Sequence, residues 1–290
     1  TGLIPFQEHF PKRFFDVGIA EQHAVAGAAG MAMGGLRPVV AIYSTFLSRA
    51  WDQVVYDVAL HRLPVIFCLD RAGVTGPDGA SHHGVYDMAL LSKVPGMRVL
   101  APSSAQELHQ MVDDAATLAD QGPVVIRYPR GAERTLPNGE SPAELPIEQA
   151  QILRPGLHLT LAACGAMVRN AMIAASKLDD EGFSCEVIDL RRVKPLDLDT
   201  ILSSCQRTGR LATLEDGVVA GGVGLTLAAT VAQRCPGLPV AVIAAGDHPV
   251  VQGSVSRIHE REGMDPASIA ATCRELAGRA SMYPVPDSCP

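Results

Sequence analysis

The sequence predicts an α/β protein made of two doubly wound domains. Three observations carry that prediction. Short, continuous apolar runs alternate with stretches of helical periodicity along almost the whole chain. Its 290 residues are enough for about two domains of ordinary size. A segment rich in Pro, Asn, Gly and acids, 132–151, interrupts the alternation and reads as a linker. The expected division is a first domain at 1–131, the linker at 132–151, a second domain at 152–281, and a disordered tail at 282–290.

In the first domain, 13–18 reads as a short strand. Residues 24–33, all Ala, Val, Gly and Met, read as a buried helix closed by Gly34-Gly35. The run 38–43 is continuously apolar, as parallel strands covered on both faces are. Ser44 or Thr45 then caps a helix from 46 to about 61, with Leu47, Trp51, Val54, Val55 and Val58 at helical spacing. A strand at 64–69 leads into a polar loop at 74–84. A helix follows over about 85–91, then a strand at 98–100. Ser104 and Glu107 have capping-box spacing and open a helix to about 119. A strand at 123–128 closes the domain. In the second domain, strands are expected at 157–164, 185–190, 210–214 and 239–244. Helices are expected at 167–180, 197–205, 222–234, 254–262 and 266–280.

Composition narrows the function. Hydrophobic residues make up 47%, ample for two cores, and the net charge is −7 with no basic block. That balance argues against a nucleic-acid or anionic-membrane surface. The longest uncharged runs, 22–36 and 217–233, are short and rich in Gly and Ala, unlike a membrane span. The seven cysteines are odd in number and none has C-x-x-C spacing. This is a reducing-compartment pattern with neither a disulfide framework nor a zinc site. The expected location is cytoplasmic, bacterial or plastid, with any targeting segment ahead of Thr1 out of view.

Glu21 is the residue of greatest chemical interest. It sits where the expected strand hands over to the helix, with no Lys or Arg close by in sequence. A helix N-terminus favours its anion, while apolar surroundings favour the acid. A carboxyl under such opposed pulls can exchange a proton at neutral pH. A lone Glu there also has a plain reading as a helix N-terminal acid. In doubly wound sheets ligands gather beyond the carboxyl ends of the strands. Glu21, Tyr43, Arg71 and Arg130 are all expected at or just past such ends.

Phe15-Asp16-Val17-Gly18-Ile19-Ala20-Glu21-Gln22-His23-Ala24-Val25 resembles the glutamate motif of thiamine-diphosphate enzymes of the transketolase group. Four further strings narrow the match: Tyr43-Ser44-Thr45-Phe46-Leu47-Ser48-Arg49-Ala50-Trp51-Asp52-Gln53, Asp70-Arg71-Ala72-Gly73, Asp78-Gly79-Ala80-Ser81-His82-His83-Gly84 and Arg127-Tyr128-Pro129-Arg130-Gly131. Together they resemble the 1-deoxy-D-xylulose-5-phosphate synthase family. The resemblance implies a pyrimidine-binding domain followed by a transketolase C-terminal domain. It implies condensation of pyruvate with glyceraldehyde 3-phosphate on thiamine diphosphate, with loss of CO2, in a homodimer. Glu21 matches the glutamate that bonds the aminopyrimidine ring and promotes removal of the thiazolium carbon's proton. Phe46 matches the aromatic that stacks on that ring. Tyr43, Arg49, Arg71 and Arg130 match substrate-site positions, the last two suited to a phosphate. Asp78 and His82 match contacts to the sugar hydroxyl and the aldehyde, His82 as a proton donor.

Other residues stay open. Arg127 is either part of that cluster or a surface or salt-bridge residue. His83, where the family often has an amide, either substitutes for His82 or alters the loop's response to pH. His23 is structural or touches the site. Gly221-Gly222-Val223-Gly224 looks like a phosphate cradle, but packing of a helix on a sheet asks for glycine equally. The family's Gly-Asp-Gly motif, which holds Mg2+ and the diphosphate in an N-terminal domain, has no match here. Pro77-Asp78-Gly79 and Gly246-Asp247-His248 are the nearest strings. The isolated chain is therefore expected to be inactive. The readings in competition are a transketolase, the β subunit of a 2-oxo-acid dehydrogenase E1, and a non-catalytic assembly module of the same fold.

Overall fold

The computed structural model describes residues 2–131 and 146–283. Most of the expected linker, the tail beyond 283 and Cys289 lie outside the described residues.

The first domain opens with α1 (Ile4–His9), which buries none of its residues, and a 3-10 turn at Pro11–Arg13. No strand forms over 13–18. Asp16 Oδ1 accepts from Gly18 N–H at 2.9 Å, and Gly18 takes a positive φ of +67°. That tight turn breaks an extended run, and the apolar side chains here face outward: Phe15 is 65% exposed and Ile19 90%.

Then come α2 (Glu21–Met33), β1 (Val39–Tyr43), β2 (Ile66–Asp70), α3 (Asp87–Leu91), β3 (Arg98–Leu100), α4 (Ala105–Leu118) and β4 (Val124–Arg127). In α2, Val25, Ala28, Ala29 and Ala32 are buried, while Gln22, His23, Ala26 and Met33 are exposed, so only one face meets the core. β1 is likewise covered on one face only. It is an edge strand, with Val39 and Ala41 exposed.

The segment expected as one helix from 46 to 61 is a 3-10 turn, Ser44–Ala50, followed by a π-helix, Gln53–Ala59. Neither Ser44 nor Thr45 caps it. Their hydroxyls donate instead to the carbonyls of Gly84 (3.4 Å) and Ser81 (3.1 Å), tying this segment to the polar loop. Leu47, Ala50, Val54 and Val58 are still buried, so the apolar period survives the change of helix type.

The second domain holds β5 (Gln151–Arg154), β6 (Leu159–Ala163), α5 (Met167–Asp179), β7 (Cys185–Asp189), β8 (Arg192–Lys194), α6 (Leu198–Thr208), β9 (Leu211–Val218), α7 (Val223–Arg234), β10 (Val240–Ala245), α8 (Val255–Arg261) and α9 (Pro266–Ala277). Its sheet runs β10-β9-β6-β7-β5, parallel except for β5. The first sheet runs β1-β2-β4-β3-β8, parallel except for its last strand. β8 comes from the sequence of the second domain, so 192–194 completes the edge of the first sheet.

The domains are fastened by buried charge as well. Arg127, 2% exposed, donates to Asp87 in α3 and to Asp216 in β9, each at 2.8 Å. Burial works against its charge, but the two carboxylates outweigh burial and push its pKa up. Arg127 is therefore an interdomain strut, not a surface residue. Arg191, also buried, donates to Glu107 of α4 at 2.6 Å. Among the described residues no helix is long and apolar enough to cross a membrane.

Candidate active site

The site is assembled at the carboxyl ends of β1, β2 and β4, where a doubly wound sheet offers its crevice. Glu21 is the first residue of α2 and only 7% exposed. The positive charge its own sequence lacks comes from Arg49, whose Nη1 is 3.5 Å from Glu21 Oε2. The 3-10 turn sets Phe46 and Arg49 on one side, with the guanidinium carbon 5.2 Å from the Phe46 ring centre. Tyr43 stacks on Phe46 at 5.9 Å, and His82 meets Phe46 edge-on at 5.4 Å.

Arg71 follows directly after β2 and adopts a positive φ of +61°. The turn swings its guanidinium to 4.1 Å from the centre of the Tyr43 ring. Arg71 and Arg130 then grip one carboxylate: Asp78 Oδ2 is 2.5 Å from Arg71 and Oδ1 is 2.5 Å from Arg130. All eight residues singled out in the sequence thus stand in one unbroken chain of contacts, from Glu21 through Arg49, Phe46, Tyr43, Arg71 and Asp78 to Arg130, with His82 against Phe46.

A cavity of about 480 Å3 lies beyond this chain, bounded by Asp70, Arg71, Tyr128, Arg130, Ser103 and Ser104 among others. Its floor includes the start of α4, where Ser104 Oγ accepts from Glu107 N–H at 3.2 Å. The capping spacing announced the helix. Nothing local announced that its N-terminus would face the two arginines.

The open residues separate cleanly. His82 faces Phe46, whereas His83 is buried and turned to the second domain. His23 lies on the exposed face of α2. The glycine-rich turn before α7 holds a carboxylate. Glu215 accepts from Gly224 N–H at 2.8 Å and Val223 N–H at 3.1 Å. A carboxyl from the protein's own β9 fills the place a phosphate would take, which favours the packing role for these glycines. Among the described residues, no group of three or more His, Cys, Asp or Glu is placed to hold a metal.

Two doubly wound domains, with an acid opening the first helix of one and a basic cluster at its strand ends, define a transketolase-type pair. Comparison agrees. Residues 1–135 match the transketolase pyrimidine binding domain and 148–269 the transketolase C-terminal domain. A solved split-gene transketolase, described as an inactive β4 tetramer, superposes with a TM-score of 0.83 at 30% identity, covering 94% of this chain and 86% of its own. The chain belongs to the transketolase family.

Within it, the chain resembles the C-terminal two domains of 1-deoxy-D-xylulose-5-phosphate synthases. The synthase of Heliobacterium modesticaldum is 44% identical over 290 residues, 99% of this chain and 44% of its own. That of Desulforudis audaxviator is 50% identical over 224 residues, 77% of this chain and 35% of its own. The chain thus spans less than half the length of these curated relatives.

Proposed function

We infer that this chain supplies the pyrimidine-binding and C-terminal domains of a 1-deoxy-D-xylulose-5-phosphate synthase, joining pyruvate to glyceraldehyde 3-phosphate with release of CO2. The observation that carries this reading is the unbroken contact chain from Glu21 to the Arg71–Asp78–Arg130 cluster. It sets a buried carboxylate beside an aromatic face at one end and an anion-binding cluster at the other.

The fit to thiamine diphosphate is partial. Glu21 and the Phe46 ring suit an aminopyrimidine, one by a hydrogen bond and the other by apolar contact. Among the described residues no group of three or more His, Cys, Asp or Glu is placed for Mg2+. Its ligands and those of the diphosphate belong to the family's N-terminal domain in this reading. When bound, the cofactor supplies the nucleophilic carbon and the electron sink for decarboxylation. The rest falls to side chains of this chain. Glu21 takes and returns a proton at the pyrimidine ring. Arg49, half-exposed beside Glu21, meets the carboxylate of the entering substrate. Arg71 and Arg130 hold the phosphate of the acceptor in place of Asp78. Asp78, once released, accepts from a sugar hydroxyl. His82 donates a proton to the aldehyde oxygen, at the ring nitrogen not engaged by Ser81 Oγ (Nδ1, 3.0 Å).

The test is exchange of the cofactor's C2 proton, in the chain supplied with the family's diphosphate-binding domain. Glu21→Gln keeps size and hydrogen bonding but cannot trade a proton. Exchange should slow by roughly 10²–10⁴-fold with cofactor still bound. Wild-type exchange in that variant would overturn the assignment. The split-gene neighbour favours one second reading, a transketolase subunit. A ketose phosphate used as donor in preference to pyruvate would support that alternative.

A further inference from the structure

The loop that carries Asp78 and His82 owes its shape to what lies beneath it. Its base is closed by two backbone hydrogen bonds, Gly73 N–H to Gly84 O at 2.9 Å and Gly84 N–H to Gly73 O at 2.8 Å. Between them the His83 ring is 1% exposed and engaged at both nitrogens. Nδ1 is 3.0 Å from Thr75 N, a group that only donates, so Nδ1 is the acceptor. Nε2 is 3.2 Å from the carbonyl oxygen of Val251, which only accepts, so Nε2 carries the hydrogen. The two partners fix a single neutral tautomer.

Val251 lies in the segment between β10 and α8 of the second domain, 168 residues away in sequence. Two more bonds join the same segments. Gln252 Nε2 donates to Pro77 O at 2.8 Å, and Gly253 N–H to Gly76 O at 3.5 Å. The approach at Gly76 is close enough that a Cβ there would stand 3.1 Å from Val255 and 3.2 Å from Gly253 O.

We propose that His83 is a positioning residue, which as its neutral Nε2–H tautomer pins loop 74–84 to the second domain and so fixes where Asp78 and His82 stand. Its catalytic meaning rests on the roles given above to Asp78 and His82; the pin itself does not.

The pin is sensitive to protons. An imidazolium would set a second N–H against Thr75 N–H and lose that bond, leaving only the Thr75 hydroxyl, 3.0 Å from Nδ1, to accept the new hydrogen, so charging the ring weakens the pin. Burial holds the His83 pKa below the ordinary value, the Val251 carbonyl and Asp78 act the other way, and His82 adds to the lowering. Of the charges around the loop, Asp78 is paired with Arg71 and Arg130, and Asp216 of β9, against Gly73, is held by Arg127. Since the folded pKa lies below the unfolded value of about 6.5, the pin is at full strength above that value. It weakens as pH falls through the lowered one.

Glutamine offers Oε1 to Thr75 N–H and an N–H to Val251 O without titrating. The test is amide hydrogen exchange across 74–84 in the wild type, His83→Gln and His83→Ala, from pH 5 to pH 8, corrected for intrinsic rates. At pH 7.5, His83→Ala should exchange roughly tenfold faster in the loop, the effect of losing one hydrogen bond, with β2 and β4 unchanged. His83→Gln should keep its protection at every pH, while the wild type loses it toward pH 5. Equal loop protection in His83→Ala and the wild type would overturn the proposal. So would the same pH dependence in His83→Gln as in the wild type, a comparison that stands even if His83→Ala does not fold. With the diphosphate-binding domain supplied, a freed loop in His83→Ala should also raise KM for the aldehyde and leave C2 exchange intact. A freed loop with unchanged KM would uphold the pin and count against the roles of Asp78 and His82.

Discussion

Asp78 makes the clearest case at the scale of single residues, because one carboxylate holds two arginines. A phosphate dianion can replace it on both, and each charge-assisted bond is worth about 1.5–3 kcal/mol. Arg130→Ala should therefore raise KM for a phosphorylated aldehyde by roughly tenfold to a hundredfold. Cofactor C2 exchange should stay at the wild-type rate. Steady-state kinetics beside the exchange assay separate this variant from Glu21→Gln, which should fail at exchange itself. Glu21, Phe46, Arg71 and Asp78 stand out in the sequence because each sits inside a short string that resembles a family motif, and the structure brings them into one chain of contacts. The companions of Arg127 and His83 do not stand out. Asp216 is 89 residues from Arg127 and Val251 is 168 from His83, and a carbonyl oxygen has no signature in a sequence.

Elements were legible where one period or one cap decided them, and less so where the partner decided. α4 begins where Ser104 and Glu107 say it should, although the Glu107 side chain bonds Ser103 N–H at 2.7 Å and Arg191 in place of closing the box. β8 was missed, since Arg192-Val193-Lys194 is too short and too charged to read as a strand until β3 lies beside it. The 44–59 segment kept its apolar spacing but not its helix type, because loop 81–84 claims the hydroxyls that would have capped it. The turn before α7 gives a test at this scale. Burial raises the Glu215 pKa from 4.5 to about 7, against the pull of the Gly224 and Val223 amides. A raised folded pKa means the stabilisation is complete below the unfolded value and is lost as pH rises toward 7. Urea unfolding should show the wild type losing stability relative to Glu215→Gln between about pH 4.5 and pH 7, by about 3 kcal/mol. Identical profiles for the two would refute the assignment. At the Arg127 strut, Asp216→Asn removes one of two buried countercharges and should cost about 3–5 kcal/mol in the same measurement.

At the scale of the whole molecule, apolar exposure is concentrated on the first domain. Phe15, Ile19, Met33, Leu36, Val39, Tyr56 and Leu60 are all exposed there, along the N-terminal segment, α2, the edge strand β1 and the π-helix. Apolar exposure on that scale calls for a partner surface. In the reading proposed here, the diphosphate-binding domain and a second copy cover it. The chain supplied with that domain should run as a homodimer in light scattering, and a monodisperse monomer would contradict this. Thiamine diphosphate with Mg2+ should bind the present chain alone only weakly, and micromolar affinity in calorimetry would contradict that. The most direct measurement is of product. The chain joined to the family's diphosphate-binding domain is given pyruvate and glyceraldehyde 3-phosphate with thiamine diphosphate and Mg2+. The account predicts equal amounts of CO2 and 1-deoxy-D-xylulose 5-phosphate, both formed roughly 10²–10⁴-fold more slowly by Glu21→Gln. Cofactor bound with neither product formed, or with turnover only of a ketose phosphate donor, would contradict it.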